Sequence, residues 1–454
     1  MSDILERVVE SPAVALDKTL SISKEVTDSI GSEKTVVKAR TYWRTLGPGL
    51  TTGASDDDPS GIATYSQAGA QFGLQFLWLS SFIFPLMCVV QEMCARIGLV
   101  TRRGLAANIR LHYPRWVLYV AAVLLFITNT LNIGADLGAM AKATQLLFPN
   151  TNFGLLVILF TFLSLGLQIF TPYEKYAKYL KWLALVLLSY IFSALSVDLN
   201  WGEIVKHAVV PSITFTKDHI LLVTAILGTT ISPYLFFWQT SQEVEEKMLE
   251  DQTGLKLNHA EVSNQEIKNM RTDVWTGMFL SILVMFFIIA ASAVTLHANG
   301  VTNIATAADA AEALRPIAGD KAYLLFALGI IGTGMLAVPV LAGSASYALS
   351  ESFGWKFGLY RKLKEAHAFY GVIMLSTLIG LLINFSGIDS MKALIYAAVV
   401  NGLIAPVILV LIILIGSNKA IMGDRVNGPI TSAVGWLITA IMIIAGIATI
   451  ISLL

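Results

Sequence analysis

The chain has 454 residues, of which 55% are hydrophobic and only 14% charged, with no formal net charge. Soluble domains carry about 25% charged residues, so the composition excludes a soluble enzyme or binding module. Repeated apolar runs of roughly 20 residues, the length that crosses about 30 Å of hydrocarbon, predict a polytopic α-helical membrane protein and exclude a transmembrane β-barrel.

Residues 1–44 are polar and mixed in charge, without the apolar core of a signal peptide. We predict that they form a flexible cytoplasmic tail. Eleven apolar segments follow, and each predicts one transmembrane helix. The predicted spans are 46–71, 74–99, 115–141, 152–171, 179–199, 219–240, 273–296, 321–350, 367–385, 390–416 and 430–453.

The distribution of positive charge predicts the orientation of these spans. With a cytoplasmic amino terminus, all but six of the 31 Lys and Arg residues fall on the cytoplasmic side, as the positive-inside rule requires. The six on the other side are Lys142, Lys206, Lys217, Arg315, Lys321 and Lys392. With eleven spans the carboxyl terminus is then extracellular, and we expect a multi-pass protein of the plasma membrane.

The first span is interrupted by a polar segment that contains a proline. The run Asp56-Asp57-Asp58-Pro59-Ser60-Gly61 lies between a glycine-rich stretch and the apolar residues that begin at Ile62. Proline removes a backbone donor and disrupts the helix, so that nearby carbonyl groups lose their partners. In a membrane such carbonyls are tolerated where they line a cavity or bind an ion.

The sixth span contains a second break, Thr229-Thr230-Ile231-Ser232-Pro233-Tyr234, within the apolar stretch from Ile220 to Trp238. Four whole spans separate the two broken ones, which therefore cross the membrane in opposite directions. Paired interrupted segments are the best pointer in a sequence to a transporter's binding site. We predict an all-α inverted repeat of five plus five spans. Its parts are repeat 1 at 45–200, an extracellular loop at 201–218, repeat 2 at 219–416, and a cytoplasmic loop with the eleventh helix at 417–454.

Asp58 is the strongest candidate for a functional residue. A carboxylate at membrane depth is costly unless it is paired, and no Lys or Arg lies in the core of the same span. A transported cation would supply the missing partner. The alternative, a simple helix cap at a hydrophilic end of the span, applies better to Asp56 and Asp57, and Asp57 remains a secondary acidic candidate.

The remaining donors near the two breaks are all oxygen atoms, which suit Mg²⁺, Ca²⁺ or Mn²⁺. They are free carbonyls and the hydroxyls of Ser60, Thr229, Thr230, Ser232 and Tyr234. Asp136, in the third span, is a further acidic candidate that relays protons, attracts ions or acts as a hydrogen-bonded strut. Asn129 and Asn132 share its helix, and Asn401 in the tenth span is a candidate for the same pathway.

These segments resemble the Nramp (natural resistance-associated macrophage protein) divalent-metal transporters over nearly all of the membrane region. The usual Asp-Pro-Gly-Asn of the first broken helix reads Asp58-Pro59-Ser60-Gly61 here, and the usual Met-Pro-His of the sixth reads Ser232-Pro233-Tyr234. The resemblance implies a LeuT-type fold. It also implies a metal site at Asp58, at the carbonyls of Ser55 and Thr229, and at the positions of Gly61, Ser232 and Tyr234.

The differences from the family pattern bear on selectivity. Gly61 replaces an Asn ligand, and Ser232 replaces the Met whose sulfur favours transition metals. Tyr234 and Gln239 stand where the family has two histidines linked to protons, and Ala139 stands where the third helix has a Glu. The pattern looks like that of the Nramp-related magnesium transporters. It implies a roomier, oxygen-lined site for a partly hydrated Mg²⁺ or Mn²⁺.

We therefore expect an uncoupled uniporter for the uptake of Mg²⁺ and Mn²⁺ that acts as a monomer. We expect no enzymatic activity, no cofactor beyond the transported ion, and no binding of nucleic acid. Three alternatives remain: a proton-coupled Mn²⁺/Fe²⁺ symporter of the ordinary Nramp type, an Al³⁺ carrier, and an amino-acid transporter of LeuT fold. The acidic cluster at the first break disfavours an anionic substrate group there.

Overall fold

The helices of the protein follow the apolar segments of its sequence. The computed structural model describes residues 46–171, 191, 192, 195, 200–252, 262–315 and 319–453. Nearly all of the described residues are helical. The predicted tail at 1–44 and, apart from residues 191, 192 and 195, the predicted fifth span at 179–199 lie outside them.

The described part of the first repeat contains six helices. The first predicted span is two helices, with a short turn of tighter helix, Gly73–Phe76, leading from the second of them into the next span. The helices are α1 Pro48–Asp56, α2 Pro59–Phe72, α3 Leu77–Thr101, α4 Leu105–His112, α5 Arg115–Leu147 and α6 Phe153–Phe170.

The chain from residue 200 onward adds ten helices in its described part, and the sixth predicted span is again divided in two. They are α7 Trp201–Val209, α8 Lys217–Thr230, α9 Pro233–Gln252, α10 Asn264–Thr295, α11 Ala307–Ala311, α12 Ala322–Phe353, α13 His367–Ile383, α14 Ser390–Gly416, α15 Lys419–Met422 and α16 Pro429–Leu453. Ten of the eleven predicted spans thus contain one of these helices, and the three described residues of the fifth predicted span, 191, 192 and 195, are helical as well.

By length and composition, eight helical segments of the described chain are long and apolar enough to cross a membrane. One of them, Pro59–Thr101, contains both α2 and α3. The shorter α13 is apolar as well. The structure therefore has the helices of a polytopic membrane protein.

The connector between α9 and α10 differs from the sequence-based expectation. The acidic composition of residues 242–273 predicts a solvated cytoplasmic connector, but α9 continues to Gln252 and α10 begins at Asn264. Glu245 is buried and accepts hydrogen bonds from the Tyr347 hydroxyl at 2.6 Å and the Leu359 N–H at 2.8 Å. These bonds stabilise an acidic residue that composition alone would place in water.

Glycines allow both broken helices to pack backbone to backbone against a neighbour. A methyl group added at Gly53 of α1 would come within 2.2 Å of the Gly277 carbonyl oxygen of α10. One added at Gly228 of α8 would come within 2.1 Å of the Ala398 carbonyl oxygen of α14. Small residues permit such close approach of membrane helices.

The start of α1 is also held by a side chain of α10. The Asp273 carboxylate accepts hydrogen bonds from the N–H groups of Gly49 at 2.6 Å and Leu50 at 3.0 Å. These are N–H groups of the first helical turn, which have no partner within their own helix. The negative charge also complements the positive end of the helix dipole.

The two broken helices pack against each other in a crossed arrangement. The first half of one contacts the second half of the other, so that α1 packs against α9 and α2 packs against α8. This pairing follows from their opposite directions, and it brings the two breaks next to each other.

Candidate cation site

The two breaks have the same local geometry. In each, one helix ends, two residues adopt non-helical backbone, and a proline begins the next helix: α1 ends at Asp56 and Pro59 starts α2, whereas α8 ends at Thr230 and Pro233 starts α9. A proline is well suited to the first helical position because the N–H that it lacks would have no intrahelical partner there. Pro59 and Pro233, which are predicted to break their spans, are therefore each the first residue of the second helix of the span.

Asp58 is buried, with 1% of its surface exposed. Its Oδ1 accepts hydrogen bonds from the Ser60 hydroxyl at 2.6 Å and the Gly61 N–H at 2.8 Å, and its Oδ2 accepts one from Asn132 Nδ2 at 2.8 Å. Asp58 thus caps α2, as the alternative interpretation proposed, but at a buried position instead of a hydrophilic end. An ionised carboxylate offers about four lone-pair sites, so these three bonds leave room for a cation.

Side-chain contacts join the two breaks directly. The hydroxyl oxygens of Ser60 and Thr229 lie 3.3 Å apart. The Tyr234 hydroxyl donates to the Ser55 carbonyl oxygen at 3.0 Å. Both pairs cross from one broken helix to the other, so the structure brings together most of the residues that the sequence singles out.

The two carbonyl groups predicted as ligands each accept a hydrogen bond within the site. The Ser55 carbonyl is bound by Tyr234, and the Thr229 carbonyl accepts a bond from the Ser232 hydroxyl at 2.8 Å. The Ser232 hydroxyl also lies 2.6 Å from the Gly228 carbonyl oxygen. A carbonyl oxygen has two lone pairs, so one hydrogen bond does not prevent it from binding a cation.

Gly61 contributes space and a donor rather than a side-chain ligand. Its N–H donates to Asp58, and a methyl group added there would lie 3.3 Å from the Thr229 hydroxyl oxygen. The family's Asn at this position would fill that space. The residue predicted at a ligand position thus leaves the site wider.

Asp56 and Asp57 are more deeply buried than the sequence suggests. Asp56 is the last residue of α1 and caps no helix start, and both side chains are buried. The Ser281 hydroxyl of α10 donates to Asp56 Oδ2 at 2.5 Å and lies 3.4 Å from Asp57 Oδ1. Sequence reasoning missed Ser281, since an isolated serine in an apolar span carries no signal of its own.

Asp136 lies on α5 one helical turn after Asn132, which bonds Asp58. It is buried, and neither carboxylate oxygen has a hydrogen-bond partner among the described residues. Its position one turn from Asn132 places it on the part of α5 that faces the first break. Within the described part of the chain, Asp136 is therefore not the hydrogen-bonded strut of the alternative interpretation.

The asparagines have different roles. Asn129 Nδ2 bonds the Leu341 carbonyl at 2.8 Å and the Ser344 hydroxyl at 2.7 Å, and so ties α5 to α12. Asn401 is buried, and within the described chain its amide group has no partner. Asn129 thus makes the link between helices that the alternative interpretation assigned to Asp136.

Gln239, which occupies the position of a family histidine, tethers α1 to α9. Its Oε1 accepts a hydrogen bond from the Thr52 hydroxyl at 2.5 Å, and its Nε2 donates to Glu243 Oε1 at 2.9 Å. The side chain is fully buried. At this position the amide makes a structural link between the two broken helices.

Among the described residues, no group of three or more His, Cys, Asp or Glu side chains is placed to hold a metal ion. A cation at the breaks would therefore depend on Asp58 together with neutral hydroxyl and carbonyl oxygens. Such a donor set is hard and lacks any imidazole or sulfur ligand.

Comparison with known proteins identifies the family. Residues 49–452 match the family described as natural resistance-associated macrophage protein-like, or Nramp. The chain belongs to this family. The predicted resemblance is thus confirmed over almost the whole length of the protein.

Individual relatives agree with this assignment. The chain is 26% identical over 422 residues to a protein of Aeromonas hydrophila named divalent metal cation transporter MntH, covering 90% of this chain and 96% of that one. A manganese transporter of Eremococcus coleocola superposes with a TM-score of 0.70 at 17% identity, covering 91% of this chain and 87% of that one.

A more distant structure supports the fold. The inward-facing conformation of Mhp1 matches with a TM-score of 0.51 at 14% identity, and the match covers 90% of each chain. The predicted LeuT-type fold with broken first and sixth helices is confirmed.

Proposed function

We propose that this Nramp protein takes up divalent cations, Mg²⁺ and Mn²⁺, and binds them between the unwound segments of its first and sixth spans. The names of its relatives, a divalent metal cation transporter and a manganese transporter, support the class of substrate. The observation that carries the proposal is the contact of the two breaks beside Asp58, with the Ser60 and Thr229 hydroxyls 3.3 Å apart.

The proposed ligands are the Asp58 carboxylate, the Ser55 and Thr229 carbonyls, and the hydroxyls of Ser232 and Tyr234. All are hard oxygen donors, which favour Mg²⁺ and Mn²⁺ over softer ions such as Cd²⁺. Mg²⁺ gives up its water reluctantly and usually keeps several molecules in proteins. The small residues at positions 61 and 232 leave room for such a partly hydrated ion.

The membrane potential is a sufficient driving force for this transport. Moving one charge through 100 mV yields about 2.3 kcal/mol, so a divalent ion gains about 4.6 kcal/mol, which corresponds to roughly a thousandfold concentration ratio. We therefore propose an uncoupled uniporter.

The site lies within a single chain, which supports a monomer as the functional unit. We keep the orientation inferred from positive charge, with the amino terminus in the cytoplasm of a cell whose plasma membrane holds the protein.

Ion flux into proteoliposomes tests the substrate. We expect Mg²⁺ and Mn²⁺ to enter and to compete with each other, and Cd²⁺ to enter slowly. Asp58→Ala should abolish uptake, whereas Asp424→Asn, which removes a carboxylate from an exposed turn, should leave it unchanged. Rapid entry of Fe²⁺ and Cd²⁺ that Mg²⁺ does not inhibit would contradict the assignment.

One observation favours a second candidate, the proton-coupled symporter of the ordinary Nramp type. Asp136 is buried one helical turn from Asn132, which bonds Asp58, and it has no hydrogen-bond partner in the described chain; such a carboxyl group is able to carry a proton. A pH-sensitive dye inside the liposomes separates the two mechanisms. Uniport predicts metal entry without acidification, whereas acidification that depends on the metal and is lost in Asp136→Asn would establish coupling.

A further inference from the structure

The helix ends on the predicted cytoplasmic side carry a row of stacked aromatic rings that transport does not use. Tyr119 of α5 stacks on Phe353 at the end of α12, with ring centroids 5.7 Å apart. Phe353 stacks in turn on Trp355 at 4.8 Å. The three side chains are 40%, 48% and 40% exposed. Exposed aromatic rings at the ends of membrane helices are typical of the boundary between hydrocarbon and lipid headgroups.

An arginine lies at the end of α12, beside this row. The Arg110 guanidinium lies against Gly354, and its Nη1 donates to the Glu351 carbonyl at 3.3 Å. Arg110 is otherwise exposed, and this is its only hydrogen bond to a described residue. A guanidinium has five donors in a planar fork that matches phosphate, so most of its donors remain available.

Two further cations flank the rings. Arg115 begins α5 and lies one helical turn before Tyr119, which places both on the same face of the helix. Lys356 follows Trp355 directly in the chain. Both cations are exposed. Arg110 lies against Gly354, Arg115 shares the helix face of Tyr119, and Lys356 neighbours Trp355 in the chain, so a border of three exposed cations accompanies the rings.

These three cations have no ion-pair partner among the residues that the structure describes, in contrast to some cations on the same predicted side. Arg271, for example, pairs with Glu92 at 2.8 Å, and Lys247 pairs with Glu266. A cluster of cations that the protein itself does not neutralise is complementary to an anionic ligand.

The surface of α5 indicates where that ligand comes from. Beyond Arg115 the helix presents exposed apolar side chains at Trp116, Val120, Val123 and Ile127, which recur every three or four residues and form one stripe. In a membrane protein such a stripe faces lipid. The cationic border therefore lies at the headgroup end of a lipid-facing stripe, and a phosphate bound there would carry acyl chains.

We propose that Arg110, Arg115 and Lys356, with the ring row Tyr119–Phe353–Trp355, form a binding site for the headgroup of an anionic phospholipid. The cations bind the phosphate, and the rings pack against the glycerol and the first methylene groups. Basic pockets between the cytoplasmic ends of membrane helices are suited to anionic headgroups. The site is separate from the two breaks and does not depend on which ion is transported.

Native mass spectrometry of the detergent-purified full chain tests the proposal, with phosphatidylglycerol and phosphatidylcholine of the same acyl chains as probes. The double variant Arg115→Gln/Lys356→Gln removes two charges from the site. Its matched control, Lys268→Gln/Lys419→Gln, removes two exposed lysines elsewhere on the same predicted side. We expect the protein to prefer phosphatidylglycerol, and the site variant to bind it roughly 25-fold more weakly, since each cation near a membrane surface contributes about fivefold.

The control variant should keep the preference, and both variants should keep metal uptake. Equal binding of the two lipids by the unmodified protein, or an equal loss in both variants, would overturn the proposal. Competition by glycerol phosphate at the same concentration as the lipid would also overturn it, because the site would then bind a soluble phosphate. Phe353→Leu provides an independent measurement, since it should weaken the binding of phosphatidylglycerol without any change of charge.

Discussion

The two breaks share a backbone geometry but differ in chemistry. Each is a two-residue interruption followed by a proline that starts the next helix. The first carries three buried aspartates, whereas the second carries hydroxyl groups and no charge. In the cation site that we propose, one half of the inverted repeat therefore supplies the charge that attracts the ion, and the other supplies neutral oxygens that complete its shell.

The largest expected effect comes from removing the charge on the first break. Asp58→Ala should weaken Mn²⁺ binding in calorimetry by more than about a hundredfold, because changing even an outer partner of a metal ligand costs 10–100-fold. Ser232→Ala, the matched change on the second break, removes one neutral oxygen and should weaken binding only a few-fold. Equal losses in the two variants would contradict this division of roles.

Each half of the inverted repeat relies on a glycine for close helix packing, so substituting either glycine by alanine should lower the stability of the protein by a similar amount. Gly53→Ala and Gly228→Ala place a methyl group within 2.2 and 2.1 Å of a carbonyl oxygen, and such overpacking destabilises by about 1–3 kcal/mol. Gly371→Ala, where no atom lies within 4 Å of the added methyl, should be neutral or stabilising. Thermal unfolding in detergent measures the stability of all three variants. A marked difference between Gly53→Ala and Gly228→Ala would show that the two halves do not depend equally on their glycines.

The second break is expected to set selectivity. Ser232→Met introduces a soft sulfur ligand and should raise uptake of Cd²⁺ relative to Mg²⁺ by roughly tenfold, which corresponds to about 1.4 kcal/mol. Ser232→Leu adds similar bulk without sulfur and serves as the control. An unchanged ratio in the Met variant, or the same shift in the Leu variant, would show that position 232 does not contact the ion.

The smallest effect is predicted for a hydrogen bond between the breaks. Tyr234→Phe removes the donor to the Ser55 carbonyl and should lower the free energy of unfolding by about 0.5–1.5 kcal/mol. Uptake of Mn²⁺ should fall by no more than the few-fold expected for Ser232→Ala. The matched variant is Tyr65→Phe, which removes a contact with the Thr230 hydroxyl at 3.0 Å. A loss as severe as that of Asp58→Ala would instead make the Tyr234 oxygen an essential ligand.

Much of this arrangement is predictable from the sequence, because long apolar segments and prolines at membrane depth have few structural solutions. The span boundaries follow from hydropathy, and Pro59 and Pro233 locate both breaks. Long-range partners are not predictable in this way. Ser281 reaches Asp56 from α10, and nothing in its local sequence distinguishes it from an ordinary polar residue that stabilises helix packing. Asn132 is a candidate from its position near Asp136, but its bond to Asp58 is not readable from the sequence.

The connector at residues 242–273 is a second feature that the sequence alone does not predict. Its acidic composition indicates exposure, yet Glu245 is buried because Tyr347 and the backbone of Leu359 supply donors. Both partners are more than 100 residues away in the chain. An acidic composition indicates that burying the segment is costly, but it does not reveal the distant hydrogen-bond donors that offset this cost.

The Asp273 cap described at the start of α1 has a mechanical consequence for alternating access. Two charge-assisted hydrogen bonds and the contact between Gly53 and Gly277 fasten the same short helix to α10. Any movement of α1 away from α10 must break the two hydrogen bonds and the glycine contact at the same time. We therefore expect the nine-residue helix to move as one rigid piece, either fully held against α10 or fully released from it.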